Sequence, residues 1–307
     1  MVREYGVAPS TYRLPDRTRL GAIRLQVGDL SRSVKYYRDF LGFSLVERDR
    51  HIARLHPHGE RNHLIELHEQ RGTTPVPRNG VFGLYHFAIL LPSRSDLGRF
   101  VKHLSATGVQ FGAADHLVSE ATYLWDPDGL GIEVYADRPR DSWRSNGREL
   151  VMTTDRLDLE SLIAAGEVEP WQGMPQGTTL GHMHLSVSDL DEARRFYHEG
   201  LGFDVMVWSY PGALFMSAGG YHHHLGVNTW ARGARRVTAS DARLVEWELR
   251  LPTSSDVRAA HEHLRAAGYD VRDGVVTDPW AVTLRLDSSA DLTKDSTERE
   301  EREGPFV

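Results

Sequence analysis

The sequence predicts an α+β fold built from four β-α-β-β-β units. The chain repeats itself: "LGAIRLQVGDLSRSVKYYRDFLGF" (20–43) and "LGHMHLSVSDLDEARRFYHEGLGF" (180–203) match at Leu20/Leu180, Asp29/Asp189, Tyr37/Tyr197 and Leu41-Gly42-Phe43/Leu201-Gly202-Phe203, always 160 residues apart. A second pair, "LYHFAILLPSRSDLGRFVKHLSATG" (84–108) and "LVEWELRLPTSSDVRAAHEHLRAAG" (244–268), keeps that offset at Leu84, Pro92, Ser95, Asp96, His103, Leu104 and Gly108. Each run also passes from an alternating apolar stretch to helical spacing, so each of the two copies holds two smaller units.

The opening strand of a unit shows in Ile23/Leu25/Val27 and in Met183/Leu185/Val187, alternate residues of one face. An Asp or Ser able to cap a helix follows. Val34, Tyr37 and Leu41 then hold helical spacing, and Gly42 stands where the helix should stop. Short alternating runs such as "NHLIELHE" (62–69) and "GIEVYA" (131–136), separated by Gly, Pro and Asp turns, supply the remaining strands. The units fall at about 18–72 and 82–137 in a first domain (18–137), and at about 178–230 and 243–288 in a second (178–288). Residues 138–177 match neither copy and link them, with a short helix expected at 157–166; the charged, apolar-poor stretch 289–307 reads as a disordered tail.

Composition narrows the function. With 307 residues, 40% hydrophobic and 26% charged, the chain suits a soluble globular protein, and no apolar run approaches the roughly 18 residues that span a bilayer. No secretory signal is visible at the N-terminus, so a cytoplasmic location is expected by default. A net charge of -7 without a local basic cluster argues against nucleic acid or an anionic membrane as partner and for a small molecule. The absence of cysteine excludes thiolate chemistry, so any metal must be held by nitrogen and oxygen ligands.

Four such units with "D-L-x-x-x-x-x-x-Y" helices, "L-G-F" helix ends and "DPDGLGIEVY" as a final strand resemble the vicinal oxygen chelate superfamily (glyoxalases, bleomycin resistance proteins, extradiol dioxygenases). Within it, "GLYHFAILLPSRSDLGRFVKHL", "DHLVSEATYLWDPDGLGIEVYADRP" and "YPGALFMSAGGYHHHLGVNTW" are similar to the catechol 2,3-dioxygenase branch of extradiol ring-cleaving enzymes. The resemblance implies paired units curled into cup-shaped half-barrels, with a metal bound from first strands and a last strand. The equivalent positions are Ala22, His86, His182 and Glu246 on first strands, with Glu66 and Glu133 on last strands. A non-haem Fe(II) site, Mn(II) being the other metal suited to it, needs two neutral imidazoles and one carboxylate with open positions. His86, Glu133 and His182 supply that set, and they converge only if the second and third units share one cup. Pairing within one chain is expected, since the linker is long enough; the first and fourth units would then form a cup without metal.

The plainer reading of any one histidine is a surface or hydrogen-bonded residue. His86 sits between apolar neighbours, however, where burial without a role is costly, and a carboxylate within "GIEVY" needs a cation or donor still more. His182 is chosen over His184, of the same strand parity, because it aligns with the ligand position seven residues before Asp189. The resemblance further implies His116 and Tyr123, ten residues before Glu133, as groups handling protons or orienting a ligand, the plainer reading being a loop histidine and a strand aromatic. The triplet in "YHHHLGV" (221–227) lies opposite "RNHLIEL", placing His223 against His63. On strand alternation His223 shares a face with Leu225 and Val227, which turns it into the cup, at a position where the resemblance implies an acid/base histidine; His222 and His224 are bystanders to that role. Trp125, Trp230, His222 and His224 are carried as pocket candidates, core packing being the plainer role for the tryptophans.

The implied activity is extradiol cleavage of a small catechol-type diol with O2, in a homo-oligomer, dimer or tetramer. A glyoxalase-type lyase or isomerase would need a second carboxylate such as Glu66 on the metal. A metal-free binding protein would leave the three-residue set without a purpose.

Overall fold

The computed structural model describes residues 5–166 and 169–290; the tail expected from 289 onward lies almost wholly outside them. The first unit comprises β1 (Arg19–Val27), α1 (Leu30–Lys35), β2 (Ser44–Arg48), β3 (Ile52–His56) and β4 (Ile65–Glu69). The second comprises β5 (Gly83–Leu90), α2 (Arg94–Thr107), β6 (Gly112–Asp115), β7 (Ser119–Trp125) and β8 (Gly131–Asp137). The linker folds as a small hairpin, β9 (Ser145–Asn146) and β10 (Glu149–Leu150), followed by α3 (Leu159–Ala165), within the span where a short helix is expected. The third unit holds β11 (Thr179–Ser186), α4 (Leu190–Ala193), β12 (Asp204–Val207), β13 (Ala213–Ser217) and β14 (Leu225–Asn228). The fourth holds β15 (Arg243–Leu251), α5 (Ser254–Ala266), β16 (Val271–Arg272), β17 (Val275–Thr277) and β18 (Thr283–Ser288).

The same local chemistry starts each helix. Asp29, Ser93, Asp189 and Thr253 each accept a hydrogen bond from the backbone N–H three residues on, filling one of the donors a helix start leaves open. In the first and third units the helix does not run on as α after its first turns. It widens into a π-helical segment, Tyr36–Phe40 and Arg194–Gly200, before the glycine stop. Gly42 and Gly202 take φ of +91° and +101°, which a side chain resists. Tyr37 and Tyr197 leave these segments fully buried, and their hydroxyls donate to Asp126 Oδ2 (3.1 Å) and Asp278 Oδ2 (2.6 Å) of the following unit.

The sheets pair the units crosswise. One eight-stranded curled sheet runs β16-β17-β18-β15-β1-β4-β3-β2, joining the fourth unit to the first. The other runs β12-β13-β14-β11-β5-β8-β7-β6, joining the third to the second. Each seam is antiparallel between first strands, β1 with β15 and β5 with β11. One apolar core draws on all four units, with Tyr37, Phe87, Tyr197 and Trp247 among its fully buried members. The second and third units therefore meet within one chain.

Because Asp278 is buried, its carboxyl is pushed up to about 6, and Tyr197 is one of its few donors. Tyr197→Phe leaves Oδ2 without that donor while the Trp280 and Val282 N–H groups still serve Oδ1, and is expected to cost about 1–3 kcal/mol, read as a lower urea midpoint at unchanged slope. Wild-type stability would contradict the anchoring role.

Candidate metal centre

The site follows from sheet register. Across the second sheet, Tyr123 of β7 lies opposite Glu133 of β8, Glu133 beside Ala88 of β5, and Ala88 opposite His182 of β11. Partners in one register row share a face, so Tyr123, Glu133 and His182 all project into the concave side. His86, two residues before Ala88, shares that face and lies opposite His184. Ala88 is the only member of the row whose side chain is a methyl, and over it the Glu133 carboxylate and the two imidazoles converge.

His86, Glu133 and His182 offer ligand atoms that all lie within 4.8 Å of one another, and all three residues are buried. His86 Nε2 and His182 Nε2 stand 2.9 and 3.2 Å from the same oxygen, Glu133 Oε2. The His86 approach is misaligned for a hydrogen bond, so its Nε2 is enclosed without a partner, as are His182 Nδ1 and His184 Nε2. An orphaned imidazole nitrogen aimed at a buried carboxylate is a costly arrangement for a chain alone and a natural one for metal ligands. Burial lowers His182 to about 4, keeping the imidazole neutral as coordination requires. Burial works to raise Glu133, but His182 and His86 outweigh it and hold the carboxyl well below its ordinary value. Two imidazoles and one carboxylate fit Fe(II) or Mn(II).

These residues floor a cavity of about 650 Å³. His223, His116 and Tyr123 line it, as do Trp125 and Trp230, neither of which packs into the core. His116 Nδ1 donates to the Thr153 carbonyl (2.6 Å), which leaves Nε2 to accept from the Tyr123 hydroxyl at 2.5 Å. Burial, and next the Glu133 charge, push the Tyr123 hydroxyl well above its usual value. Trp125 carries the Arg78 guanidinium 3.4 Å above its ring at the cavity edge.

The histidine triplet differs from its expected geometry. β14 begins only at Leu225, and residues 221–224 are irregular backbone. Leu225 and Val227 face the apolar core, while Gly226 lies against the cavity-lining His184, where a Cβ would come within 3.1 Å of the ring. Strand alternation would thus turn His223 away; the chain leaves the pleat before β14 and brings it to the cavity instead. His222 and His224 do not line the cavity. His224 Nδ1 accepts from Ala218 N–H (3.2 Å) beside Ser217, and burial lowers it to about 3. His222 points to Asp137 and to His223.

The sequence reading missed an aromatic wall made by Tyr85, Tyr210 and Phe215 with Trp230. It also missed Asp137, which "EVYAD" could have revealed, since Glu133, Tyr135 and Asp137 alternate on one face of β8.

The other sheet shows what replaces the site. By register, Glu246 takes the place of His86, Ala22 that of His182, Glu248 that of Ala88 and Arg285 that of Glu133. Arg285 holds Glu246 through two bonds of 2.9 and 3.0 Å. Glu66 belongs to this second sheet, bonded by Arg24, Arg54 and His68, which outweigh burial and lower it to about 2.

A profile of the Glyoxalase/Bleomycin resistance protein/Dioxygenase superfamily matches residues 19–134 and 179–284. Catechol-2,3-dioxygenase of Bacillus subtilis (strain 168) is 42% identical over 260 residues, 83% of this chain and 90% of the relative. Among solved structures, a provisionally assigned dioxygenase from Bacillus subtilis subsp. subtilis str. 168 superposes with a TM-score of 0.62 at 15% identity, over 96% of this chain and 99% of the other. Glyoxalase I from Zea mays gives 0.55 at 19%, over 91% and 95%. These two likenesses carry the fold alone.

Ala88→Leu fills the space over which the ligands converge. Overpacking by about 1–3 kcal/mol is expected to weaken Fe(II) or Mn(II) affinity roughly 10- to 100-fold, measured by metal titration alongside a thermal melt. Unchanged affinity would contradict the convergence over Ala88.

Proposed function

The chain belongs to the Glyoxalase/Bleomycin resistance protein/Dioxygenase superfamily, and we propose that within it the protein is an extradiol dioxygenase, opening the ring of a catechol-type diol with O2 at an Fe(II) or Mn(II) centre. The observation that carries this reading is the buried convergence of two imidazoles and one carboxylate from two different units. A 42% identical relative named catechol-2,3-dioxygenase supports it. The lyase reading needs a second carboxylate, and the one it would recruit, Glu66, is committed to arginines in the other sheet.

When bound, the metal would supply the redox chemistry and a docking point for two vicinal oxygens, with His86, Glu133 and His182 as its ligands. The chain's residues do the rest. Tyr85, Tyr210, Phe215 and Trp230 present aromatic faces to a planar ring, within a cavity of the size small ligands occupy. His223, held well below its ordinary value by burial and then by His182, is a neutral base able to take a proton from an incoming diol hydroxyl and return it later. Tyr123, its proton directed to His116, offers its hydroxyl oxygen to the cavity as an acceptor. His184 lines the same cavity.

Anaerobically reconstituted protein given catechol in air is expected to consume O2 and form a yellow ring-fission product; neither would appear if the reading were wrong. His223→Phe should retain metal while turnover falls about 10²- to 10⁴-fold, whereas loss of the metal would overturn the assignment of His223 as a proton carrier.

A further inference from the structure

His222 is fully buried, does not line the cavity and has no place in the chemistry above, yet both its ring nitrogens are engaged. We propose that Asp137 and His222 are positioning residues that fix the ring tautomer of His223, leaving its Nε2 as the bare nitrogen presented to the cavity. The proposal rests on the reading of His223 as the acid/base group.

The argument is one of donors and acceptors. An ionised carboxylate can only accept, and His222 Nε2 lies 2.9 Å from Asp137 Oδ1, so the His222 proton sits on Nε2. A neutral His222 is then bare at Nδ1. That atom is 2.6 Å from His223 Nδ1, and the proton for the contact must come from His223. His223, donating through Nδ1, is bare at Nε2, the tautomer a base needs. A carboxylate orienting an imidazole in this way is the logic of hydrolytic triads, here with one more imidazole between carboxylate and base.

The anchor is itself held. Tyr221 donates its hydroxyl to the same Asp137 oxygen (3.1 Å) and accepts from the Tyr135 hydroxyl (2.7 Å). The Trp143 ring packs edge-on against His222 with centroids 5.4 Å apart. The Asp137 side chain keeps 28% of its surface exposed, so its charge is not stranded in the interior. Asp137 lies four residues past Glu133 on β8, so one strand carries both a metal ligand and the anchor of the base.

The test is the histidine ¹⁵N spectrum of the full chain loaded with Zn(II) as a diamagnetic metal, with His223 assigned by the signal lost in His223→Gln. The expected result is a single His223 tautomer protonated at Nδ1, with His222 protonated at Nε2. In Asp137→Ala the His223 signals should move toward the Nε2–H tautomer, and kcat with catechol should fall roughly 10- to 100-fold while KM and metal content hold. A His223 protonated at Nε2 in the unaltered protein, or an Asp137→Ala spectrum identical to it, would overturn the proposal. The expected spectrum together with full turnover in His223→Phe would instead sink the acid/base reading and leave the tautomer assignment standing.

Discussion

The antiparallel seam between β5 and β11 is the constraint on which the site depends. It sets His182 opposite Ala88 and His184 opposite His86, while the parallel pairing of β5 with β8 sets Glu133 on the other side of Ala88. A slip of one residue along the seam would send the β11 side chains to the opposite face and scatter the three ligands. The seam also joins units that are not partners in the duplicated sequence, so the centre belongs to neither copy alone. Burying two imidazoles against a carboxylate calls for a further charge or donor, which a divalent cation would supply.

The second sheet makes the same point in reverse. Where the first has Glu133, the second has Arg285, whose guanidinium lies along the Glu246 carboxylate with both bonds formed. A covalently attached cation thus meets the electrostatic need of the concave face, and the row no longer calls for an ion. Glu66, held by Arg24 and Arg54, is satisfied likewise. One cup therefore keeps an open, ligand-accepting arrangement while its counterpart is closed by ion pairs.

Much of this was legible in the sequence because repetition and alternation are local properties. The offset of 160 residues exposed the units, and the crosswise pairing followed from asking which units together hold two imidazoles and a carboxylate. The meeting of His86, Glu133 and His182 in one buried cluster was legible because regular strands carry them. The triplet was not, since it lies just outside β14, where the backbone leaves the pleat and parity no longer predicts direction. The destination expected for His223 agrees with the structure although the alternation argument for it does not. His222 and Asp137, distant by 85 residues in sequence, are joined only by the fold. The π-helical widening at Tyr36–Phe40 was likewise hidden, because Val34, Tyr37 and Leu41 bury as helical spacing requires in either form.

The central claim is that one metal is held jointly by His86, Glu133 and His182. Metal analysis of anaerobically reconstituted protein tests it most directly, comparing the unaltered chain with Glu133→Gln and with Glu66→Gln in the other sheet. The account predicts about one Fe(II) or Mn(II) per chain in the unaltered protein, near-complete loss in Glu133→Gln and full retention in Glu66→Gln. Metal held equally well without the Glu133 carboxylate would contradict it.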